Sequence, residues 1–347
     1  MSLKLSKKKS KQPNYFSHDF IITNHGDICS IAAMVFVVGL LFKGTTPLAA
    51  KFILMQHNVS DTPINGRMLY HNGLYDLCAC IFYIIVVIVL HAIIQEYLLD
   101  KLSKRMGMMK GRLSKFNHVS QTAIFLAFSI YYICSIIYQD GMFKSISDLW
   151  EGYPHTPVSL WTKFFFVFQI SYWAHNIPEL YFQKVKKEDI VTRITPSIFF
   201  LIGISAAYSM NFIKIAILIL LIQYSSDFVF YFTRATELAL KTNVARIGFS
   251  IWNTIFIPAR IIIICLTFLT LQYGLSRVSK STISIPTGDF NTRLIRLNCL
   301  VFVFLSQAWM MWVFVNYHLK KRREKVPTKS TKMNVISNQD KKKKKIG

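Results

Sequence analysis

Hydrophobic residues in this chain fall into eight long runs, separated by short polar segments that carry most of the lysine and arginine. The runs lie near 28–42, 76–98, 119–138, 160–182, 195–212, 215–232, 249–273 and 294–316. A helix of about 20 apolar residues crosses the hydrocarbon core of a bilayer. The first run is the shortest, and whether it runs on beyond 42 is left open by the sequence. Stretches such as Ile81–Leu90 are continuously apolar, without the every-second-residue alternation of a transmembrane β-barrel. Backbone exposed to lipid must satisfy its own hydrogen bonds, which favours helices over open strands and loops. The pattern therefore predicts an all-α, polytopic membrane protein with about eight transmembrane helices.

Composition agrees with that reading. Of 347 residues, 52% are hydrophobic and only 17% are charged. The net charge of +24 raises nucleic acid as a partner, but its placement argues for membrane topology. With the N-terminus in the cytosol, 30 of the 41 Lys and Arg residues fall on the cytosolic side, ten fall near lumenal segments, and Arg260 lies within a run. This is the positive-inside bias, and eight crossings return the C-terminus to the cytosol. The basic cytosolic segments also attract anionic lipid, and ribosomal RNA is a second partner of suitable charge.

The six cysteines, Cys29, Cys78, Cys80, Cys134, Cys265 and Cys299, all lie in or at the edge of the runs, so no disulfide framework is expected. Residues 1–27 form a basic, polar tail, and the first run reads as a retained signal anchor rather than a cleaved signal. The segment from Lys43 to Tyr75 is lumenal in this topology. It holds Asn58-Val59-Ser60, the single Asn-x-Ser/Thr sequon of the chain, which makes Asn58 the candidate glycosylation site. Lys344 and Lys345, followed by Ile346-Gly347, have the form of a dilysine retrieval signal to the endoplasmic reticulum. The five consecutive lysines 341–345 generate the same pattern without any such use.

Ionisable residues within spans cost at least about 2.5–3.5 kcal/mol at a helix centre, so each is a candidate functional group. The second run ends with His91, Gln95 and Glu96; the fourth carries Gln169, His175, Asn176 and Glu179 around Pro178. The sixth carries Gln223 and Asp227, the seventh Arg260 and the eighth Gln307. His91/Gln95 and His175/Glu179 are each spaced i, i+4, so each pair shares a helix face. Two readings stand: a polar cavity open to the cytosol that meets clients or lipid, or hydrogen bonds that tie helices together. Asp227 is the counter-ion nearest Arg260 in depth. No Gly-rich phosphate loop, H-E-x-x-H or G-x-S-x-G is present, so no catalytic or metal site is expected.

Several stretches have a recognisable pattern: Ser17-His18-Asp19-Phe20 with Asn24-His25, the segment His91–Lys101, Ser114-Lys115-Phe116-Asn117, Tyr172–Lys184, and Gln307-Ala308-Trp309 with Trp312. In these the chain resembles the translocating chain-associated membrane protein (TRAM) family. The resemblance implies a six-helix TLC domain over 114–323, of the kind found in ceramide synthases. It is preceded by the tail 1–27 and by a 28–113 segment with two helices, and followed by a Lys-rich, disordered tail, 324–347. It further implies a non-enzymatic accessory of the endoplasmic reticulum translocation channel that contacts signal sequences and transmembrane segments of nascent chains. The implied partners are that channel, nascent chains, membrane lipid and, through the basic segments, the ribosome. Ceramide synthases carry adjacent histidines in this domain, whereas this chain has no His-His and no His between His175 and His318. The alternative is a lipid-binding or lipid-modifying protein on the same core, a sensor or transporter included. No cofactor is expected, apart from a phospholipid held in the core.

Overall fold

The computed structural model describes residues 17–59 and 66–343, and within them the chain is a bundle of α-helices. Helices α1 (His18–Thr23), α2 (His25–Gly39) and α3 (Thr46–Ile53) precede α4 (Asp76–Ile93). A π-helical turn over Ile94–Leu99 joins α4 to α5 (Asp100–Arg105). Then follow α6 (Lys110–Asp140), α7 (Leu160–Phe182), α8 (Lys187–Ser209), α9 (Ile213–Leu238), α10 (Thr242–Phe268) and α11 (Arg293–Lys343). One small antiparallel pair, β1 (Leu69–Tyr70) and β2 (Val158–Ser159), joins two loops at one end of the bundle.

Six of the described helical stretches are long and apolar enough to cross a membrane: Asp76–Arg105, Gly111–Asp140, Lys187–Ser209, Ile213–Leu238, Thr242–Val278 and Arg293–Lys320. The expected count of about eight is not reached, for two separate reasons. The first run is not one helix: α2 has 15 residues, about 22 Å at 1.5 Å per residue against a core of about 30 Å. The chain then turns over residues 40–45, where Thr45 Oγ1 donates to the Gly39 carbonyl at 2.7 Å, and Pro47 lies in the first turn of α3. The fourth run does form α7, 23 residues long, but its aromatic and polar residues dilute its hydropathy. Its polar side chains are spent inside the bundle rather than toward lipid. Residues 18–23 and 25–27, read from sequence as part of a polar tail, are helical, and α11 remains helical beyond 323 as far as Lys343.

Helix α7 is the most enclosed element. Phe165, Phe166, Val167, Gln169, Ser171, Trp173 and His175 are all buried along it. It packs on α4 and α8, while α6 packs on α9, α9 on α10 and α10 on α11. The core unites Phe125, Tyr172, Trp173, Tyr208, Leu220 and Tyr224. A relay of hydrogen bonds crosses it: Trp173 Nε1 donates to Tyr224 Oη at 2.8 Å, Tyr224 Oη to Gln169 Oε1 at 2.8 Å, and Gln169 Nε2 to Ser129 Oγ at 2.9 Å. Three helices, α6, α7 and α9, are thereby locked in rotation as well as depth. Tyr224→Phe leaves an indole N–H and an amide oxygen without partners in a dry site. Interhelical hydrogen bonds in membranes are each worth about 0.6 kcal/mol, rising to about 1.7. A loss of about 1–3 kcal/mol is therefore expected, read as a lowered unfolding temperature of the purified protein in detergent. An unchanged value would show that the relay contributes nothing.

Candidate functional site

Three polar centres sit inside the bundle. The first gathers residues that the sequence paired by helical spacing. His91, on α4, lies between two α7 side chains: its Nε2 is 3.1 Å from Glu179 Oε1, and its Nδ1 is 3.4 Å from His175 Nε2. His175 Nδ1 contacts the Tyr172 carbonyl, which can only accept, so His175 presents its Nε2 lone pair to His91 when neutral. A neutral His91 ring has one N–H to offer, and the shorter contact, Nε2 to Glu179 Oε1, takes it. Gln183 Nε2 donates to Glu179 Oε1 at 2.9 Å, and Arg193 Nη1 on α8 donates to Gln183 Oε1 at 3.0 Å. Gln95 sits in the π-helical turn, donates to Asp100 Oδ1 at 2.7 Å and accepts from Gln121 Nε2 of α6 at 3.1 Å. Glu96, in the same turn, is exposed. A π-turn re-phases the helix, and here it turns Gln95 toward α6.

The N-terminal helices close over this centre. His25 stacks on Phe182 with ring centroids 4.5 Å apart, His18 meets Tyr181 edge-on at 5.0 Å, and Lys184 pairs with Asp19 at 2.9 Å. The hydrogen bond and charge of Lys184 hold the Asp19 carboxyl below its usual range. A Cβ on Gly26 would stand 2.8 Å from Ala92 Cβ, so α2 crosses α4 where only a glycine fits. Three of the stretches that carry the family resemblance, 17–25, 91–101 and 172–184, thus meet in one place.

The second centre lies mid-way along α10. Arg260 is 1% exposed. It does not pair directly with Asp227, the counter-ion that depth suggested. Gln223 stands between them: Arg260 Nη1 donates to Gln223 Oε1, and Gln223 Nε2 donates to Asp227 Oδ2 at 2.7 Å. Arg260 Nη1 also contacts Met310 Sδ of α11 at 2.9 Å, and its guanidinium lies 4.9 Å from the Phe256 ring. Gln223, Gln307 and Met310 border an apolar cavity of about 330 Å³ between α8, α9, α10 and α11.

The third centre went unnoticed in the sequence. Lys163 of α7 is fully buried and forms an ion pair with Asp76 of α4 at 2.7 Å. Its Nζ also donates to the Gln56 carbonyl at 2.8 Å and the His71 carbonyl at 2.7 Å. Asp76 Oδ2 accepts from Tyr208 Oη at 2.7 Å and from the Gly73 amide at 2.9 Å. Charge counting put Lys163 among flanking basic residues; the signal was that it lies four positions inside an apolar run, opposite in sign to Asp76 at the same end of its own run.

None of the candidate residues His91, His175, Glu179 and Arg260 is exposed to the lateral surface. Polar groups facing acyl chains are costly, and each has been drawn onto a partner helix. Asn58 is exposed, and its backbone bridges to Tyr70 beside the small sheet. Lys344 and Lys345 lie outside the described residues. No group of three or more His, Cys, Asp or Glu residues suited to a metal occurs among the described residues.

The profile of the TLC domain matches residues 115–316, and the likeness to named proteins extends beyond it. Translocating chain-associated membrane protein 2 of Mus musculus is 37% identical over 330 residues, covering 95% of this chain and 89% of the relative. The human protein of the same name is 37% identical over the same length. The chain belongs to the TRAM family. A ceramide synthase of Gibberella moniliformis is also similar, at 19% identity over 251 residues, 72% of this chain and 57% of that protein. As a TRAM-family, TLC-domain protein the chain is a multi-pass membrane protein, and the likeness covers the N-terminal helices as well as the TLC domain.

Proposed function

We propose that this chain is a non-enzymatic accessory of the protein translocation channel of the endoplasmic reticulum, aiding entry of secretory and membrane proteins. The observation that carries this reading is the 37% identity over 95% of the chain to relatives named as translocating chain-associated. The burial of the polar centres supports it, because it leaves a lateral surface of exposed apolar side chains such as Ile247, Ile261, Val301 and Trp312 against which a hydrophobic segment leaving the channel can rest. The missing adjacent histidines weigh against acyl transfer. In this proposal the partners are the channel and nascent chains, with the basic cytosolic segments near the ribosome.

Segments of weak hydrophobicity gain least from entering lipid, so they depend most on such a surface. Microsomes reconstituted with and without the protein, programmed with signals of graded hydrophobicity, test the role. Depletion is expected to impair the weakest signals most. Equal translocation across the series rejects the accessory role, and acyl transfer from acyl-CoA by the purified protein points to the enzyme reading instead.

The proposed topology places both termini in the cytosol, with α2–α3 and α7 completing eight crossings. Asn58 is then lumenal and the single acceptor of an N-glycan. Glycosidase treatment is expected to shift the wild-type band and leave Asn58→Gln unmoved. A wild-type band that never shifts counts against the lumenal placement of 43–75.

A further inference from the structure

The cavity between α8, α9, α10 and α11 is apolar over most of its wall and polar at one end. Phe199, Ile215, Ile219, Leu271 and Phe302 form the apolar part. It extends along α9 from Phe212 to Gln223, about 16 Å at 1.5 Å per residue. Ile202 on its wall is 51% exposed, so the cavity reaches the lateral surface at α8. There α8 and α11 meet through Phe199 with Phe302 at 6.1 Å and Trp309 at 5.6 Å.

The polar end is incompletely satisfied. Gln307 faces the cavity, is 5% exposed, and its Oε1 has no hydrogen-bond partner among the described residues. Directly behind Gln223 and Met310, Arg260 has two donors, Nε and Nη2, without a partner among the described residues. Its Nη1 is spent partly on Met310 Sδ, a weak acceptor where an oxygen is the usual partner. Buried donors and acceptors left this way each cost about 1–3 kcal/mol, so such a cluster at the end of an apolar pocket calls for an occupant.

We propose that this cavity binds a single-chain lipid with a carboxyl head, a long-chain fatty acid, with the chain in the apolar part and the head at Gln307 and Arg260. The mouth decides against a client helix: a helix about 10 Å across does not pass between α8 and α11, whose Phe199 and Trp309 rings stand 5.6 Å apart, centre to centre. A phospholipid would bring a fixed phosphate charge to mid-membrane, where Asp227 already offsets Arg260 through Gln223. A carboxyl group complements both orphans at once: its carbonyl oxygen accepts from Arg260, and its O–H donates to Gln307 Oε1. Met310, unbranched and flexible, moves aside to admit the head. Binding is non-covalent, and no bond is made or broken.

The test uses the full-length protein purified in detergent. Mass spectrometry of extracted lipid is expected to find about one fatty acid per chain. A photoreactive palmitic acid analogue is expected to label peptides of α8, α9 or α11. Gln307→Leu is expected to reduce retention and labelling at least about tenfold, equivalent to about 1.4 kcal/mol. Its melting temperature, measured after lipid removal, is expected to stay level or rise, since an unpaired carbonyl is gone. Ala207→Phe, which fills the cavity without touching its polar end, is expected to abolish labelling. Retention of diacyl phospholipid alone, absence of any lipid near one per chain, labelling confined to other helices, or unchanged labelling in Gln307→Leu overturns the proposal. The translocation reading is independent of this result, because it is read from client entry in microsomes.

Discussion

Replacing Lys163 by Met is expected to be the most damaging single change outside the aromatic core. The substitution removes the one counter-ion that Asp76 contacts among the described residues, at a carboxylate that is 4% exposed. It also strips the Gln56 and His71 carbonyls of their shared donor, so the segment before α4 loses its anchor to α7. Removing one member of a buried pair costs about 3–5 kcal/mol, because the remaining charge stays desolvated. Against a total stability of about 5–15 kcal/mol, that loss lowers the amount of folded protein severalfold. The measurement is protein abundance in membranes, together with thermal unfolding of the purified material. The double variant Asp76→Asn with Lys163→Met should recover much of the loss, since no bare charge remains. If Lys163→Met is as stable as the wild type, the pair is not the anchor described.

Much of the bundle was legible from the chain because a bilayer imposes a length and a polarity that sequence displays directly. The runs near 119–138, 215–232 and 294–316 each fall within one helix, and that near 249–273 falls within the continuous helical stretch Thr242–Val278. The i, i+4 spacing of His175 and Glu179 correctly put both on one face, and that face meets His91. What spacing cannot display is contact between helices far apart in the chain. Nothing periodic links Asp76 to Lys163, or Trp173 to Tyr224, and both associations exist because a desolvated polar group has few other partners. Depth matched Asp227 with Arg260, but depth has no azimuth, and Gln223 on the same helix as Asp227 fills the gap. The short first helix was hidden for another reason. Hydropathy continues past Gly39 through Leu40-Leu41-Phe42, whereas the backbone ends one helix at Gly39 and starts another at Thr46, with Pro47 in its first turn.

Glu179 offers the second large effect and separates charge from connectivity at the first centre. In Glu179→Leu, His91 Nε2 and Gln183 Nε2 both lose their acceptor, and Gln183 no longer links α7 to Arg193 in a fixed pose. Two unsatisfied groups at about 1–3 kcal/mol each predict a total of about 2–6 kcal/mol, at the lower end if water reaches the site. The N-terminal helices rest on this part of α7 through Tyr181, Phe182 and Lys184. They are expected to loosen with it, so limited proteolysis should cut near residues 17–25 sooner in the variant. Glu179→Gln keeps an oxygen that accepts from His91 and loses only the charge assistance, a difference of about 1–1.5 kcal/mol. The expected order is therefore wild type, then Gln, then Leu, both in unfolding temperature and in resistance of the N-terminal segment. Equal damage from Gln and Leu would mean that the carboxylate charge, not the acceptor, holds His91. No damage from either would mean that α1 and α2 are held by their ring stacking alone, and that the contact between His91 and Glu179 contributes nothing to the packing of α4 on α7.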